Sequence, residues 1–432
     1  MKNTIGKAER PSQDRIVQLF QSELGYRYIG NWQDELRTQP VEEDLLRNFL
    51  SKQGYSTALI DRAVSKFLKS VTSIASGLYD ANKEVYKLLR YGVNVREELG
   101  EAKESVALID WTNPDNNDFA IAEEVSFKGK HNKRPDIVLY VNGIAIGVLE
   151  LKNSRKGLTE GIRQNLDNQN DNFIPKFFTT MQLVLAGNDT QGLRYGTIKT
   201  SEKYYLKWKE QGDTATYDYI IDKHLVQLCN KQRILEIIKD FTIFDKGVKK
   251  LCRPNQYFGI KAAQQRIRDR EGGIIWHTQG SGKSLTMVWL TKWIRQNIDD
   301  SRVLIITDRE ELDDQIEKLF IGVEEQIYRT NSGRDLLHTL NHKTEMLVCS
   351  LVHKFGNRTD EPDYDKYIQE LKESLGSDFK AKGNLYVFVD ECHRTQSGKL
   401  NEAMKAILPE ALFIGFTGTP LLKKDKQKNK TT

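Results

Sequence analysis

Between Pro40 and about Arg96, apolar residues recur at helical spacing among charges: Leu45, Leu46, Phe49 and Leu50, then Ile60, Val64, Phe67, Leu68 and Val71. This pattern predicts a helical region. From Phe119 to Leu151 the pattern changes to short β-rich runs. Residues 137–141 (IVLYV) and 144–149 (IAIGVL) flank Asn142-Gly143, a strong hairpin signal. A helix is predicted near Thr159 to Asn168 and a strand near Met181 to Ala186. A second amphipathic helix is predicted from about His224 to Phe241, with Leu225, Leu228, Ile234, Leu235, Ile238 and Phe241 along its core side. Beyond the polar, basic stretch 245–250 (DKGVKK), strands and helices alternate. Strands are predicted at 273–276, 303–307, 346–349, 385–389 and 412–416, with a helix from Ser284. Such alternation reads as a parallel sheet with helices on its faces.

Length and composition support this division. At 432 residues the chain exceeds what one core usually serves, so two or three domains are expected. The stretch 245–250 is the best candidate boundary, giving domains 1–244 and 245–432. Lys+Arg 65 against Asp+Glu 60 leaves +5, which permits nucleic-acid binding without arguing for it. Cys229, Cys252, Cys349 and Cys392 form no C-x-x-C pair, which disfavours a disulfide framework and a zinc site and fits a reducing compartment. Charges interrupt the first twenty residues and no apolar run is long enough for a membrane span, so neither signal peptide nor membrane contact is expected. Residues 423–432 carry five lysines and one aspartate and read as a solvated tail or a cut linker.

Residues 277–284 (HTQGSGKS) stand where a predicted strand meets a predicted helix, the context of a phosphate-binding loop. Thr278, Gly280, Ser281 and Gly282 would wrap phosphate oxygens with backbone N–H groups. Lys283 would reach the β and γ phosphates and Ser284 would ligate Mg²⁺. His277 replaces the usual first glycine. The strand 385–389 then delivers Asp390-Glu391-Cys392-His393 at its C-terminal end, where open α/β sheets bind ligands. Asp390 would hold the metal and Glu391 would polarise the water that attacks the γ phosphate.

Asp-Glu-x-His in this position resembles superfamily 2 helicases and translocases, and other segments of that motif series follow in order. Gln256 resembles the glutamine that reads adenine, with Gln264 as a weaker stand-in. Thr307-Asp308-Arg309 and residues 350–355 resemble strand-end segments that contact the nucleic-acid backbone. Phe416-Thr417-Gly418-Thr419-Pro420 resembles the segment that couples hydrolysis to movement, together with His393. The resemblance implies ATP as cofactor and a first RecA-like domain. The second RecA-like domain, which supplies arginines to the transition state, is absent from the 432 residues, so the expectation is an N-terminal piece that does not translocate by itself.

Arg134-Pro135-Asp136 opens one hairpin strand, and Glu150-Leu151-Lys152 closes the other. Glu150 and Lys152 share a strand face. A strict two-residue turn pairs position 136 with 149 and puts Asp136 on the other face. A bulge, or a three-residue turn, shifts the pairing to 136 with 150. One of these is therefore predicted. Two carboxylates on one face could bind Mg²⁺, with Lys152 orienting water or stabilising developing charge. The plainer reading is a surface ion pair, but the flanking apolar runs imply a buried sheet, where acids need a metal or a partner. Glu9 or Asp14 could add an early acid from an N-terminal helix.

This constellation resembles the PD-(D/E)xK nucleases. Gln164, on the following helix, resembles the glutamine of their Q-x-x-x-Y extension, although position 168 is Asn. The fold class expected is thus α/β: a PD-(D/E)xK nuclease-like domain with a helical region, then the first RecA-like domain of a superfamily 2 motor. Together the two halves resemble the restriction (R, motor) subunit of type I restriction-modification enzymes, particularly in residues 122–125, 134–143 and 277–284. The resemblance implies a bacterial, cytoplasmic complex with methyltransferase (M) and specificity (S) subunits. In it, ATP-driven movement of unmethylated double-stranded DNA precedes Mg²⁺-dependent cleavage far from the recognition site. Two other readings are a repair or phage-defence helicase-nuclease without a methyltransferase, and a non-catalytic DNA- or partner-docking scaffold.

Overall fold

A computed structural model describes residues 5–98, 100, 102–153, 157–210, 212, 214–278, 280–307, 310–351, 364–375, 379–390 and 402–418. The chain divides into two compact units, Met1–Pro254 and Asn255–Thr432. The first contains α1 (Ile5–Ser22), β1 (Arg27–Asn31), α2 (Glu43–Lys52), α3 (Thr57–Thr72), α4 (Leu78–Tyr91), β2 (Val93–Val95) and β3 (Glu104–Val106). It continues with β4 (Phe119–Glu123), β5 (Ile137–Val141), β6 (Ile144–Leu151), α5 (Leu158–Asn168), β7 (Leu183–Asn188) and β8 (Gly192–Gly196). It ends with α6 (Ile220–Leu228), α7 (Lys231–Asp240), β9 (Thr242–Asp245) and β10 (Val248–Leu251).

Its sheet runs β1-β4-β5-β6-β7-β8, with β1 parallel to β4, β6 parallel to β7 and the other pairs antiparallel. Strands β4 to β7 are buried along their whole length, which explains their near-continuous apolar runs. One face packs Ala122, Val138, Val148 and Ala186 against Leu158 and Ile162 of α5 and against Phe177 and Phe178. The helical region is α2 to α4, as the periodicity predicts. Asn82 of α4 joins it to the sheet side by donating to the carbonyls of Phe178, Thr179 and Met181.

Two expectations shift. The helix predicted from His224 to Phe241 is two helices, because Asn230 caps α7 by accepting from the Gln232 and Arg233 N–H groups. The expected apolar stripe is nonetheless buried on both. The stretch 245–250 is a hairpin of the first unit, not a linker, so the units part ten residues beyond 244/245. Lys249, buried on β10, donates to Asn82 Oδ1 (2.8 Å), Gln182 Oε1 (2.6 Å) and the Met181 carbonyl (3.3 Å), which fastens the hairpin to α4 and the sheet.

The second unit has α8 (Pro254–Arg268), β11 (Gly273–Trp276), α9 (Lys283–Asn297), β12 (Ser301–Thr307), α10 (Glu310–Gly322), β13 (Tyr328–Arg329), α11 (Gly333–Asn341), β14 (Leu347–Leu351), α12 (Tyr364–Ser374), β15 (Asn384–Asp390) and β16 (Leu412–Thr417). All strand pairs are parallel, in the order β11-β16-β15-β12-β14-β13. At the start of β12 the buried Arg302 donates to the carbonyls of Thr339, Leu340, Glu345 and Lys382, locking β12 to the segments before β14 and β15.

Candidate active sites

In the first unit the hairpin turn is the tight two-residue kind. Val141 pairs with Ile144, and Asn142 and Gly143 both have positive φ, 52° and 77°. A bulge then shifts the register: Tyr140 pairs with Ala145, but Leu139 pairs with Gly147. The pairing therefore runs 138 with 148 and 137 with 149. Carried one residue further, it sets Asp136 opposite Glu150. Of the two routes that the spacing allows, the structure uses the bulge, and it places both carboxylates on the α5 face of the sheet.

The Leu151 N–H donates to Asp136 Oδ2 at 2.7 Å, and Lys152 Nζ donates to Glu150 Oε1 at 3.1 Å and to the Leu151 carbonyl at 2.9 Å. The Gln164 amide, from α5, donates to the same Glu150 Oε1. Glu150 is fully buried, and its Oε2 has no donor among the described residues. Burial, then the neighbouring Asp136, push the Glu150 carboxyl well above the usual range. Burial also raises Asp136, to about 6, against the pull of Lys152 and the Leu151 N–H. Two acids facing each other in a buried sheet, one with an orphaned oxygen, resist simultaneous ionisation unless a cation joins them.

The oxygen-only donor set suits Mg²⁺, which keeps several waters and needs few carboxylates. Among the described residues no cluster of three or more His, Cys, Asp or Glu could hold a metal, so these two acids would share an ion with water, a carbonyl or a phosphate. Of the two early acids, Asp14 is engaged elsewhere, pairing with Arg10 at 2.9 Å on the surface of α1, and the side chain of Glu9 lies outside the described residues. Position 168 is a buried Asn.

One buried acid escaped the sequence reading. Glu123, at the end of β4, accepts from Arg10, Gln13, Tyr28 and Asn31 and is held below the usual range by those donors despite its burial. It anchors α1 to the sheet. The signal was the Glu123-Glu124 pair ending an apolar strand.

In the second unit the loop 277–282 follows β11, with Gly280 and Gly282 left-handed (φ 77° and 92°) and Lys283 opening α9. Ser281 closes the loop, donating from N–H (3.1 Å) and Oγ (2.5 Å) to the Thr278 carbonyl. Asp390 is buried at the end of β15, opposite Phe416, while Trp276 pairs with Thr417. The phosphate loop, Ser284, Asp390, Thr417 and Gly418 thus gather at one sheet edge, the carboxyl ends of parallel strands. Gln256 is buried and donates to the Gly282 carbonyl at 2.9 Å, so it braces the phosphate loop. Gln264 is buried on α8. Glu391, His393, Thr419 and Pro420 lie outside the described residues, as do Asp308, Arg309 and residues 352–355.

His277 explains the missing glycine. Its ring bridges the Asn255 carbonyl (Nε2, 3.0 Å) and Thr286 Oγ1 (Nδ1, 3.5 Å), and its N–H donates to the Thr417 carbonyl (3.0 Å). Gly259 makes room: a Cβ there would sit 3.0 Å from Nε2. Burial holds this imidazole below its ordinary pKa.

The class follows from this geometry and the sequence families. Residues 255–432 match the SWI2/SNF2 ATPase family, and the second unit is a RecA-like domain of the superfamily 2 helicase type. Residues 8–203 match the type I restriction enzyme R protein N terminus, so the chain is a relative of type I R subunits. It is 26% identical over 93% of its length to a putative type I restriction enzyme MjaIXP endonuclease subunit of Methanocaldococcus jannaschii, covering 42% of that protein. It is 29% identical over 85% of its length to the type I restriction enzyme HindI endonuclease subunit of Haemophilus influenzae, covering 38%. The chain therefore spans about two fifths of the curated relatives it matches. Among solved structures, a Sulfolobus solfataricus SWI2/SNF2 ATPase core in complex with dsDNA is 16% identical over 44% of this chain and 36% of that one, at a TM-score of 0.31. Among the described residues no helix is long and apolar enough to cross a membrane.

Proposed function

We propose that this chain carries the Mg²⁺-dependent endonuclease site and the ATP-binding half of the motor of a type I restriction assembly, the nuclease domain being of the PD-(D/E)xK kind. The observation that carries the reading is the bulged register that brings Asp136, Glu150 and Lys152 to one face, in a chain that also holds a phosphate loop. Mg²⁺ held by Asp136 and Glu150 would polarise a scissile phosphate and lower the pKa of water. Lys152 orients the attacking water and offsets charge on the phosphate as it is attacked. Gln164 keeps the Glu150 carboxylate aimed by bonding its Oε1. In the motor, Lys283 would bind the β and γ phosphates, Ser284 and Asp390 would hold Mg²⁺, Glu391 would orient water, and Thr417, Gly418, Thr419 and His393 would relay the state of the site.

The substrate in this reading is unmethylated double-stranded DNA, drawn past a complex with M and S subunits in the bacterial cytoplasm and cut away from the recognition site. In the assembled enzyme, Asp136→Ala or Lys152→Ala abolishes cleavage and leaves ATPase intact, whereas Lys283→Ala abolishes both. Cleavage that survives Asp136→Ala and Lys152→Ala overturns the nuclease assignment.

A further inference from the structure

We propose that residues 128–134, the loop that leads into Asp136, form a preorganised clamp for the phosphodiester backbone of duplex DNA beside the nuclease site. This inference rests on the nuclease reading above and names the contact surface of that site. The segment KGKHNKR holds Lys128, Lys130, Lys133 and Arg134 and no acid. It connects the end of β4 to the start of β5, so it lies at the end of the sheet where β6 reaches Glu150 and Leu151.

A charge run is most often a solvated face with a loose backbone. This one is fastened at its base and along its length. Phe127 is fully buried, and its N–H and carbonyl exchange hydrogen bonds with Lys133 at 2.8 and 3.2 Å. The Lys128 N–H donates to the Arg37 carbonyl (2.8 Å), the Lys130 N–H to Phe173 (3.2 Å) and the His131 N–H to Asn172 (3.1 Å). At Gly129 the fit is so close that a Cβ would lie 2.0 Å from the Phe173 carbonyl oxygen. Ordering this loop costs backbone entropy at every residue, which solubility alone does not require.

The cations are left available. Lys128, Lys130 and Arg134 are exposed. Among the described residues none of Lys128, Lys130 and Lys133 pairs with a carboxylate. Lys130 Nζ meets only the Asn172 amide oxygen (3.3 Å), and Lys133 Nζ lies 4.0 Å from the Phe173 ring centroid. Arg134 is spoken for by Glu124 at 2.7 Å. Ammonium groups that meet no carboxylate among the described residues, carried on a fastened loop that runs directly into Asp136, suit a polyanion that must be held while a cation between the acids meets one of its phosphates. Contacts of this kind position without reading sequence.

The test uses the full chain, free of nucleotide, and a short fluorescent duplex titrated at several salt concentrations, comparing parent, Lys128→Ala/Lys130→Ala/Lys133→Ala, and the corresponding triple Arg variant. Loss of three phosphate contacts should lower the slope of log K against log salt by about 2.7, roughly 0.9 per contact. The Arg variant should keep the parent slope, which separates charge from fold. An unchanged slope in the Ala variant, or a lowered slope in both variants, overturns the inference, as does equal loss of affinity for an acidic polypeptide competitor. Asp136→Ala is run alongside in the assembled enzyme. It should keep the slope and lose cleavage, so retained cleavage there indicts the nuclease reading, whereas an unchanged slope in the Ala triple indicts only the clamp.

Discussion

Asp136 sits across the hairpin from Glu150 because the strand pair carries one extra residue between Ala145 and Gly147. Without that bulge, the sheet's alternation would turn Asp136 to the face opposite Glu150 and Lys152, and the three side chains could not act on one phosphate.

A divalent cation should therefore stabilise the first unit in the absence of nucleotide. At tenfold its dissociation constant the expected gain is about 1.4 kcal/mol, a rise of a few degrees in the melting temperature. Scanning calorimetry of the chain with Mg²⁺ and with EDTA measures it. Glu150→Gln, which removes the charge but keeps the shape, should abolish the rise.

Restoring the consensus glycine in the phosphate loop should harm it. His277→Gly removes two side-chain hydrogen bonds, which link α8, the loop and α9, each worth about 0.5–1.5 kcal/mol. Affinity for a fluorescent ATP analogue should fall about tenfold, and His277→Gln should recover part of it. Undiminished affinity in the glycine variant would show that the imidazole is only a spacer.

Lys249 gives the first unit a distinct pH dependence. Burial lowers its pKa well below the ordinary lysine value, and its three partners are neutral oxygens. Below the depressed folded-state pKa both states carry the proton and this contribution is at its lowest; between that value and the ordinary one only the unfolded chain binds the proton, so stability rises with pH across that window. The slope is at most about 1.4 kcal/mol per pH unit. The difference between parent and Lys249→Met denaturation midpoints, followed from neutral to alkaline pH, isolates this contribution from the other titrating groups. A difference that stays flat with pH would mean that the buried ammonium keeps its ordinary pKa.

Arg302 should matter to the second unit far from any nucleotide. Arg302→Met strands the carbonyls of Thr339, Leu340, Glu345 and Lys382 and should cost about 3 kcal/mol, seen as a lower denaturant midpoint for the second unit's transition.

Much of this was legible in the residue pattern, for identifiable reasons. Strands β4 to β7, β12, β14, β15 and β16 announce themselves because burial on both faces demands apolar runs, whereas the two-residue, half-buried β13 left no such run, and the Asn142-Gly143 turn signals the hairpin. The same hairpin arithmetic required a bulge or a longer turn to unite Asp136 with Glu150. It could not say which, because Ile146 looks like any other strand residue. The break at Asn230 was hidden by an apolar stripe that continues through both helices, since capping acts locally and the stripe reports only burial. The 245–250 stretch looked like a linker because lysines are usually solvated, whereas Lys249 is satisfied by Asn82 and Gln182, distant in sequence. The bridging role of His277 depends on Gly259 and Thr286, a relation that spacing alone does not encode.

The most direct test of the account is an anomalous difference map from a crystal of this chain soaked in Mn²⁺ without nucleotide. A metal-dependent site predicts a peak between the carboxylates of Asp136 and Glu150, within reach of Glu150 Oε2, and its disappearance in Glu150→Gln. Ordered carboxylates with no peak between them at saturating Mn²⁺ would contradict the metal-dependent nuclease site.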